Sequence, residues 1–420
     1  MSISPEEIAA RRNVLAEELT SVGVLDTKWR DAFFRAPRHL FVPDRVWREA
    51  NDDYAPLIRS EEPEAWWEAV YSDQYIVTQV DDGREPEPGQ IGDVPTSSAS
   101  MPSLAFWMLR ELDVPDRARV LEIGTGTGYN AALLVARVGS ENVTTIEVDT
   151  DIAEQARSAL AKAGFHPAVI AGDGANGYPP NAPYDRVIAT CSVQRVPYAW
   201  IDQTNPGGVI ITPWGTAYHN NALVRLECDN SGRAQGPFVG GLAFMWLRSD
   251  RVPRGRLRDF VHHEDEEDVE KSTTEVDPDN VFGEEHAEFA IGVQVPGCQH
   301  RVHYADDDSG EFTLWLLDPD SGSWASVDYE RDASVYAVHQ HGPRRLWNEV
   351  EGAYRWWLTA GRPERERFGL TVTPHGQTVW LDDPNSGSAL PRVRSKTGVE
   401  TPQAPRSAKP PWSNGVSDTL

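Results

Sequence analysis

The sequence predicts an α/β fold with a doubly wound, mostly parallel sheet. Two observations predict it. Short apolar segments alternate with helical segments between residues 119 and 213, and a glycine-rich loop joins the first of these strands to its helix. Strands that are apolar along their whole length are typical of a parallel sheet with helices on both faces. Further strand patterns and one long helix pattern follow residue 285, so we also expect a smaller C-terminal α+β domain.

The alternating region is assigned element by element. Strands are predicted at 120–124, 143–147, 168–173, 186–190 and 208–213, and helices at 129–138, 152–163 and 197–204. Two further apolar runs, ALVRLEC (222–228) and LAFMWLR (242–248), predict a closing hairpin.

The chain start predicts a capped helix. Ser4 is the candidate N-cap, Pro5 takes the first helical position and Glu7 the third, which is a capping-box pattern. A second helical segment is expected near residues 29–34. We therefore expect the main domain, residues 1–248, to begin with a helical part at 1–70 and to continue with a variable loop at 71–95.

Beyond the main domain, composition predicts three further parts. Residues 249–285 are expected to form an acidic linker and residues 286–390 an accessory domain, while the Pro/Ser-rich tail at 391–420 is expected to be disordered. Within the accessory domain, strands are predicted near 289–295, 312–317 and 335–339, a helix at 346–361 and a hairpin that turns at 375–376.

Net charge and cysteine content exclude several functional classes. The 420 residues carry a formal net charge of −26, which argues against general binding to nucleic acid or to anionic membranes. The sequence has no apolar run of membrane-spanning length, and MSISPEEIAARRN does not resemble a signal peptide. Three cysteines without a CxxC pair indicate a reduced, cytoplasmic setting, no disulfide framework and no metal site.

The glycine loop VLEIGTGTGY (120–129) is the strongest chemical signal. Gly124, Gly126 and Gly128 allow a sharp turn and a close approach to a ligand, and their GxGxG spacing differs from the GxGxxG of dinucleotide sites. Glu147 ends the next strand, where a carboxylate can accept hydrogen bonds from both ribose hydroxyls; a solvated strand end is the alternative. Asp173 follows the third strand and could meet an adenine amino group. This pattern favours S-adenosyl-L-methionine over NAD.

Several ordered motifs resemble the protein-L-isoaspartate O-methyltransferase family. They are PRHLFVP (37–43), SASMPSLAFWMLREL (98–112), the glycine loop, GDG (172–174), APYDRVIAT (182–190) and NPGGVIITPWG (205–215). The resemblance covers about residues 8–248. It implies a Rossmann-like class I methyltransferase that converts S-adenosyl-L-methionine to S-adenosyl-L-homocysteine. The predicted cofactor-binding residues are Glu122, Gly124, Thr125, Gly126, Gly128, Glu147, Asp173, Gly174 and Thr190.

The serines of TSSASMP (96–102) are the candidate acceptor-site residues. In the resemblance, Ser100 takes the place of the family's active-site serine and Ser98 that of its threonine, so both are predicted to hold the acceptor carboxylate. The alternative for these serines is an N-cap of the helix that begins near Pro102, and the two roles can coexist. Thr96 and Ser97 are expected to be loop or cap residues. An ordinary carboxylate, with a pKa near about 4, is ionised at neutral pH and needs no general base.

Two departures from the family pattern bear on the substrate. The variable loop replaces a short stretch, and about 170 residues follow the methyltransferase unit. In this the chain resembles longer actinobacterial relatives that tailor lanthipeptides, lasso peptides or graspetides. That resemblance implies methylation of an aspartate in a cyclised precursor peptide, followed by closure to an aspartimide. Repair of L-isoaspartate in damaged proteins is the alternative, an inactive cofactor-binding adaptor is a third, and the oligomeric state is left open.

Other polar and aromatic clusters are interpreted as structural. Histidines near Cys298 and at 339–341 show no metal-ligand spacing, and the Trp-rich helix at 346–361 is expected to pack in a core. The basic strip at 248–258 either forms a solvated linker or attracts an acidic peptide.

Overall fold

In the computed structural model, the described residues are 3–50, 53–84, 92–251, 257–261, 268–385 and 390. The predicted disordered tail, 391–420, lies outside them, and so do parts of the variable loop (85–91) and of the acidic linker (252–256 and 262–267).

The N-terminal region combines helices with a small sheet. Its elements are α1 (Pro5–Ser21), α2 (Thr27–Arg35), β1 (Arg45–Ala50), β2 (Asp53–Ile58), α3 (Pro63–Val70), β3 (Ile76–Val80) and β4 (Pro95–Ala99). The predicted capping box of α1 is confirmed, since Glu7 N donates to Ser4 Oγ (3.2 Å) and Ser4 N donates to Glu7 Oε2 (2.8 Å).

The four N-terminal strands form an antiparallel sheet in the order β2-β1-β3-β4. This sheet corrects the predicted helical part at 1–70 and the predicted loop at 71–95. The strands are short and β2 is only partly buried and contains Pro56, so no period-two apolar pattern marks it in the sequence. Thr96 and Ser97 consequently lie in a strand and not in a loop or cap.

The central region has the predicted alternating order. Its elements are α4 (Pro102–Leu112), β5 (Val120–Ile123), α5 (Tyr129–Val138), β6 (Val143–Glu147), α6 (Thr150–Lys162), β7 (Ala168–Ala171), β8 (Tyr184–Ala189), α7 (Tyr198–Asp202), β9 (Thr204–Trp214), β10 (Ala222–Cys228) and β11 (Ala234–Gly240). Strands β7-β6-β5-β8-β9 are parallel, which confirms the α/β class, and β10 and β11 close this part as an antiparallel pair. The carboxyl ends of the parallel strands meet at one edge of the sheet, where ligands bind in folds of this kind.

The closing hairpin is confirmed, but its second strand was misplaced. The partner of β10 is β11 and not the predicted segment 242–248. Strand β11 contains Gly236 and Pro237, which weaken the strand pattern in the sequence. The apolar run at 242–248 instead passes beside the cavity described below, which Met245, Trp246 and Leu247 line.

The C-terminal region contains a second antiparallel sheet. Its elements are β12 (Glu270–Thr274), α8 (Glu285–Gln294), β13 (Gln299–Tyr304), β14 (Phe312–Asp318), β15 (Ser323–Tyr329), β16 (Tyr336–His341), α9 (Leu346–Thr359), β17 (Phe368–Thr373) and β18 (Gly376–Leu381). The five-stranded order is β12-β16-β15-β14-β13. The strand predicted near 289–295 is wrong, because that segment belongs to α8. Glu284 caps this helix by accepting from His286 N and Ala287 N.

The hairpin β17–β18 belongs to the central sheet and not to the five-stranded one. The full order is β18-β17-β11-β10-β9-β8-β5-β6-β7, with Ala234 opposite Val372. One apolar core also joins Phe238 of β11 to Phe289 of α8 and Trp347 of α9. The predicted domain boundaries at 248 and 286 stay a prediction, and the described sheet and core are continuous across them. Among the described residues, none of the helices has the length and apolar content needed to cross a bilayer.

Candidate active site

A cavity lies at the carboxyl ends of the parallel strands. The glycine loop lines it on one side, β4 and the turn after it on the other, and residues 245–248 and Arg251 complete the lining. Two parts of the chain that are distant in sequence therefore face one space: a cofactor side, built on β5, β6 and β8, and an acceptor side, built on β4.

The glycine loop adopts backbone conformations that favour glycine. Gly124, Gly126 and Gly128 have φ values of +90°, +52° and +86°. A Cβ atom added to Gly124 would lie 2.8 Å from Thr190 Oγ1, and that hydroxyl donates to Gly124 O at 2.6 Å. The loop is thus fixed to the end of β8, with no room for a side chain at Gly124.

Glu147 ends β6 in the cavity lining and is 8% exposed. Its carboxylate accepts from Gly126 N at 2.9 Å and from Asp149 N at 3.2 Å. Burial raises its pKa, while these two backbone donors and Arg248 oppose the rise. A carboxylate has about four lone-pair positions, so Glu147 keeps acceptor capacity for ligand hydroxyls. The predicted solvated strand end does not describe this buried position.

Glu122 lies beneath the loop and is fully buried. It accepts from Asn130 Nδ2 at 2.7 Å and from Thr145 Oγ1 at 2.6 Å, and the Thr145 hydroxyl in turn contacts Thr125 Oγ1 at 2.6 Å. Burial raises the pKa of Glu122 to about 7. The structure places Glu122 as a support of the loop and not in the cavity lining.

The structure brings together most of the predicted cofactor-binding residues. Asp173 is exposed and caps the turn after it by accepting from Ala175 N at 2.9 Å, while its neighbour Gly174 faces the cavity. Gly128 packs against α6, where an added Cβ would lie 3.3 Å from Leu160. The predicted residues that line the cavity are Gly124, Thr125, Gly126, Glu147, Gly174 and Thr190, and those that do not are Glu122, Gly128 and Asp173.

Ser98 and Ser100 line the acceptor side of the same cavity. The proposed capping role of a serine is wrong, because the N-cap of α4 is Met101 and makes no side-chain hydrogen bond. Asp73 supplies the cap instead by accepting from Ser103 N at 2.7 Å. Within the described part of the chain, neither serine hydroxyl has a hydrogen-bond partner, so both remain available to a ligand.

Comparison with known proteins gives the family. The family model for protein-L-isoaspartate(D-aspartate) O-methyltransferase matches residues 10–251, more than half of the chain. The chain belongs to this family. It is 34% identical over 239 residues to the protein-L-isoaspartate O-methyltransferase of Thermococcus sibiricus, which covers 56% of this chain and 91% of that protein. It is 32% identical over 238 residues to the corresponding protein of Methanoculleus marisnigri, at 56% and 90% coverage.

One solved structure to which this chain is similar is that of a putative protein-L-isoaspartate O-methyltransferase from Plasmodium falciparum in complex with S-adenosyl-L-homocysteine. The two sequences are 15% identical, and the match covers 56% of this chain and 96% of the Plasmodium chain with a TM-score of 0.40.

Family membership confirms the predicted class I fold, the enzyme class and the cofactor: the protein is an S-adenosyl-L-methionine-dependent carboxyl O-methyltransferase. The residue roles assigned to the site stay predictions, and so does the resemblance to the peptide-tailoring subgroup.

Two residues of the methyltransferase site were missed from the sequence although they directly follow the glycine loop. Tyr129 and Asn130 line the cavity, and the Tyr129 hydroxyl and Asn130 Oδ1 are buried without a partner among the described residues. An unsatisfied buried polar group costs about 1–3 kcal/mol. Asn130 therefore keeps an unused acceptor for a polar ligand, whereas the Tyr129 hydroxyl lies near Arg38 and Tyr71. The site fits the methyl donor that the family uses.

A polar bridge lies beside the cavity of the methyltransferase. Asp149, the N-cap of α6, accepts from Arg248 Nη2 at 3.0 Å and from Gln79 Nε2 at 3.1 Å. Arg251 donates to both carboxylate oxygens of Asp82, at 2.8 and 2.9 Å. This bridge of Gln79, Asp82, Asp149, Arg248 and Arg251 corrects the interpretation of the first two arginines of the basic strip as a solvated linker.

The cavity holds no candidate metal centre among the residues described. No group of three or more His, Cys, Asp or Glu side chains in this part of the chain is arranged to bind a metal ion. Cys191 lines the cavity, and burial raises the pKa of its thiol, so it stays protonated at neutral pH.

Proposed function

We propose that the protein methylates the free carboxylate of an L-isoaspartyl residue in a peptide or protein. The relatives that carry this activity in their names align over about nine-tenths of their own length. The observation that carries the proposal is a pair of hydroxyls, those of Ser98 and Ser100, which have no hydrogen-bond partner among the described residues and line the same cavity as the glycine loop and Glu147.

The two sides of the cavity have different roles: one binds the cofactor and the other holds the acceptor carboxylate. On the cofactor side, the glycine loop permits close approach and Glu147 offers acceptor positions for ribose hydroxyls. When bound, S-adenosyl-L-methionine supplies a methyl group activated by a positively charged sulfur. On the acceptor side, the hydroxyls of Ser98 and Ser100 hold a carboxylate by hydrogen bonds and orient one of its oxygens.

The charges around the cavity suit an ionised acceptor. Arg248 and Arg251 line the cavity but are paired with Asp149 and Asp82, so neither is free to form a full ion pair with the acceptor. A hydroxyl donor leaves the acceptor oxygen more nucleophilic than a guanidinium partner would. The protonated Cys191 thiol is a poor competitor for the methyl group, because the thiolate is the nucleophilic form.

A second candidate is methylation of an aspartate in a macrocyclic precursor peptide. Strand β3 lies in the segment predicted as a variable loop and pairs with the acceptor strand β4, and the C-terminal region extends the central sheet. Both features favour a specialised substrate. In that reaction the methyl ester is attacked by the next backbone nitrogen: a C–N bond forms, the amide proton is lost and methanol leaves. The product is an aspartimide.

The two candidates differ in the peptide that accepts the methyl group. The purified protein is incubated with S-adenosyl-L-methionine and one of three peptides: an isoaspartyl peptide, its aspartyl twin, and a side-chain-cyclised acidic peptide with one free aspartate. Mass spectrometry counts methyl groups and later loss of methanol. Methylation of the isoaspartyl peptide alone supports the first candidate, and methylation of the cyclised peptide alone supports the second. Methylation of none of the three, with cofactor bound, contradicts both.

Ser100 gives the sharpest test of the site. Its hydrogen bond to a charged acceptor is worth about 1.5–3 kcal/mol, so we expect Ser100→Ala to lower kcat roughly 10- to 100-fold. The Kd for S-adenosyl-L-methionine, measured by calorimetry, should stay within about twofold, because the cofactor side is untouched. Ser103→Ala, in the first turn of α4 and outside the cavity lining, is the matched control. An unchanged kcat for Ser100→Ala would remove this serine from the mechanism.

A further inference from the structure

A single buried arginine holds the backbone of the acceptor side. Arg38 lies in the PRHLFVP segment and is 1% exposed. Its guanidinium donates to five backbone carbonyl oxygens, those of Val70 (3.0 Å), Ser72 (3.2 Å), Gln74 (3.0 Å), Ala99 (3.3 Å) and Ser100 (3.0 Å).

The acceptors of Arg38 belong to two separate segments. Three lie in residues 70–74, from the last residue of α3 into the turn before β3, and two lie where β4 turns into α4. The same two segments are joined a second time, because Asp73 accepts from Ser103 N at the start of α4. Arg38 is therefore at the centre of a unit that ends at the cavity with Ser100.

The positive charge of Arg38 is not neutralised by a carboxylate of the described residues. Among the described residues Arg38 forms no ion pair; Tyr129, Asp73 and Tyr71 act on it only at longer range, by raising its pKa. Burial lowers the pKa of the guanidinium to about 10, which leaves it protonated at neutral pH. An unpaired buried cation is costly unless its hydrogen bonds are satisfied. Here carbonyls saturate Nη1 and Nη2, whereas Nε is buried without a partner among the described residues.

The geometry of these contacts requires an arginine. A planar guanidinium offers five N–H donors in a fixed fork, whereas a lysine ammonium offers three on one atom. Only the fork can reach the carbonyls of residues 70–74 and those of Ala99 and Ser100 at the same time. A lysine would keep the charge and lose the simultaneous attachment of both segments.

We infer that Arg38 is a positioning residue for methyl transfer, which fixes the Ala99–Ser100 backbone so that the Ser100 hydroxyl faces the acceptor. The inference rests on the proposed role of Ser100. It goes beyond that role by placing the determinant of acceptor geometry at a residue that does not line the cavity. The positive charge directly behind Ser100 also favours an anionic acceptor at that place.

The test is a double-mutant cycle that uses Arg38→Lys and Ser100→Ala. We expect Arg38→Lys to lower kcat at least tenfold and to leave the Kd for S-adenosyl-L-methionine within twofold. If Arg38 acts through Ser100, the double variant is no slower than the slower single variant. Independent, multiplicative effects, or an unchanged kcat in Arg38→Lys, would overturn the inference.

Three further outcomes separate a failed variant from a failed inference. If Arg38→Lys does not bind the cofactor, the cycle is run with Asp73→Ala, which loosens the same segment; non-additive effects with Ser100→Ala support the inference and additive ones contradict it. If Ser100→Ala alone leaves kcat unchanged, the proposed role of Ser100 fails and the inference fails with it. If Ser100→Ala is slow but Arg38→Lys is not, the inference alone fails.

Discussion

The two sides of the cavity are built in different ways. On the cofactor side, the two glutamates are held by residues of the same or the adjacent βα unit: Glu147 by Gly126, and Glu122 by Asn130. On the acceptor side, Ser100 is held by Arg38, 62 positions earlier, and directly follows β4, whose partner strand β3 lies in the variable region. The cofactor side is thus a local structure that a motif can specify, whereas the acceptor side depends on long-range contacts.

The largest effect that separates the two sides is expected from Gly124→Ala. A non-glycine residue in the left-handed region costs about 1–2 kcal/mol, and the added Cβ would lie 2.8 Å from Thr190 Oγ1. The glycine loop must shift, so we expect the Kd for S-adenosyl-L-methionine to rise at least about tenfold. The KM for the peptide should change little. Calorimetry and initial rates measure the two constants.

Gly164→Ala is the matched control for Gly124→Ala. Gly164 has a φ of +82° but no atom within 4 Å of an added Cβ. It shares the backbone cost without the clash, so a loss of stability with an unchanged cofactor Kd is expected. Equal losses of cofactor affinity in both variants would show that the loop does not depend on the close contact with β8.

A smaller effect is expected from Glu122→Gln, on the pH dependence of stability. The folded-state pKa of Glu122 is raised by burial to about 7, from an ordinary value of 4.5. Between these values the folded protein binds more protons than the unfolded chain, so the free energy of unfolding contributed by Glu122 falls as pH rises. Glutamine does not titrate, so the variant does not lose this part of its free energy of unfolding as the pH rises. Urea unfolding from pH 5 to 8 should show the variant gaining stability relative to the wild type as pH increases.

The control for Glu122→Gln is Glu141→Gln, at an exposed position in the turn before β6. The control should follow the pH profile of the wild type. Parallel profiles for Glu122→Gln and the wild type would mean that burial does not raise the pKa of the Glu122 carboxyl. The protein would then tolerate a charged carboxylate beneath the glycine loop.

The smallest effect is expected from Arg251→Gln, where the two sides meet. The side chains of Arg251 and Asp82 are 35% and 38% exposed, and exposed pairs contribute about 0.2–1 kcal/mol. We expect a cofactor Kd within about twofold of the wild type, with the difference removed by high salt. Arg248→Gln should do more, since its partner Asp149 is 12% exposed and also caps α6. An Arg251→Gln effect that exceeds that of Arg248→Gln would place the main link between the two sides at Asp82.

The central fold was predictable because its parts are local. The helix at 129–138 and the strand at 143–147 agree with the structure to the residue, since a glycine loop, an apolar run and a strand-end glutamate mark their limits. The N-terminal sheet was missed because its strands are short and half-buried. The segment 289–295 was assigned to a strand because an apolar run of that length does not distinguish a strand from a buried helix.

The same difference between local and long-range contacts decided which residues of the site were predicted from the sequence. The glycine loop and Glu147 were found because their residue types and spacing reflect the chemistry of a nucleoside. Arg38 was not, because its partners are backbone carbonyls, which leave no trace in the identities of the residues that carry them. The serines were recognised by family resemblance, yet their freedom from capping became evident only when Asp73 was seen to cap α4.

The pairing of β17 with β11 has a consequence for self-association. Without it, β11 would be an edge strand, and backbone N–H and C=O groups of residues 234–237 would lose their partners. Open edges of this kind invite strand exchange with other chains. A chain ending before residue 368 would bare this edge next to the buried Phe238. The C-terminal hairpin therefore covers β11 and moves the edge of the sheet to β18.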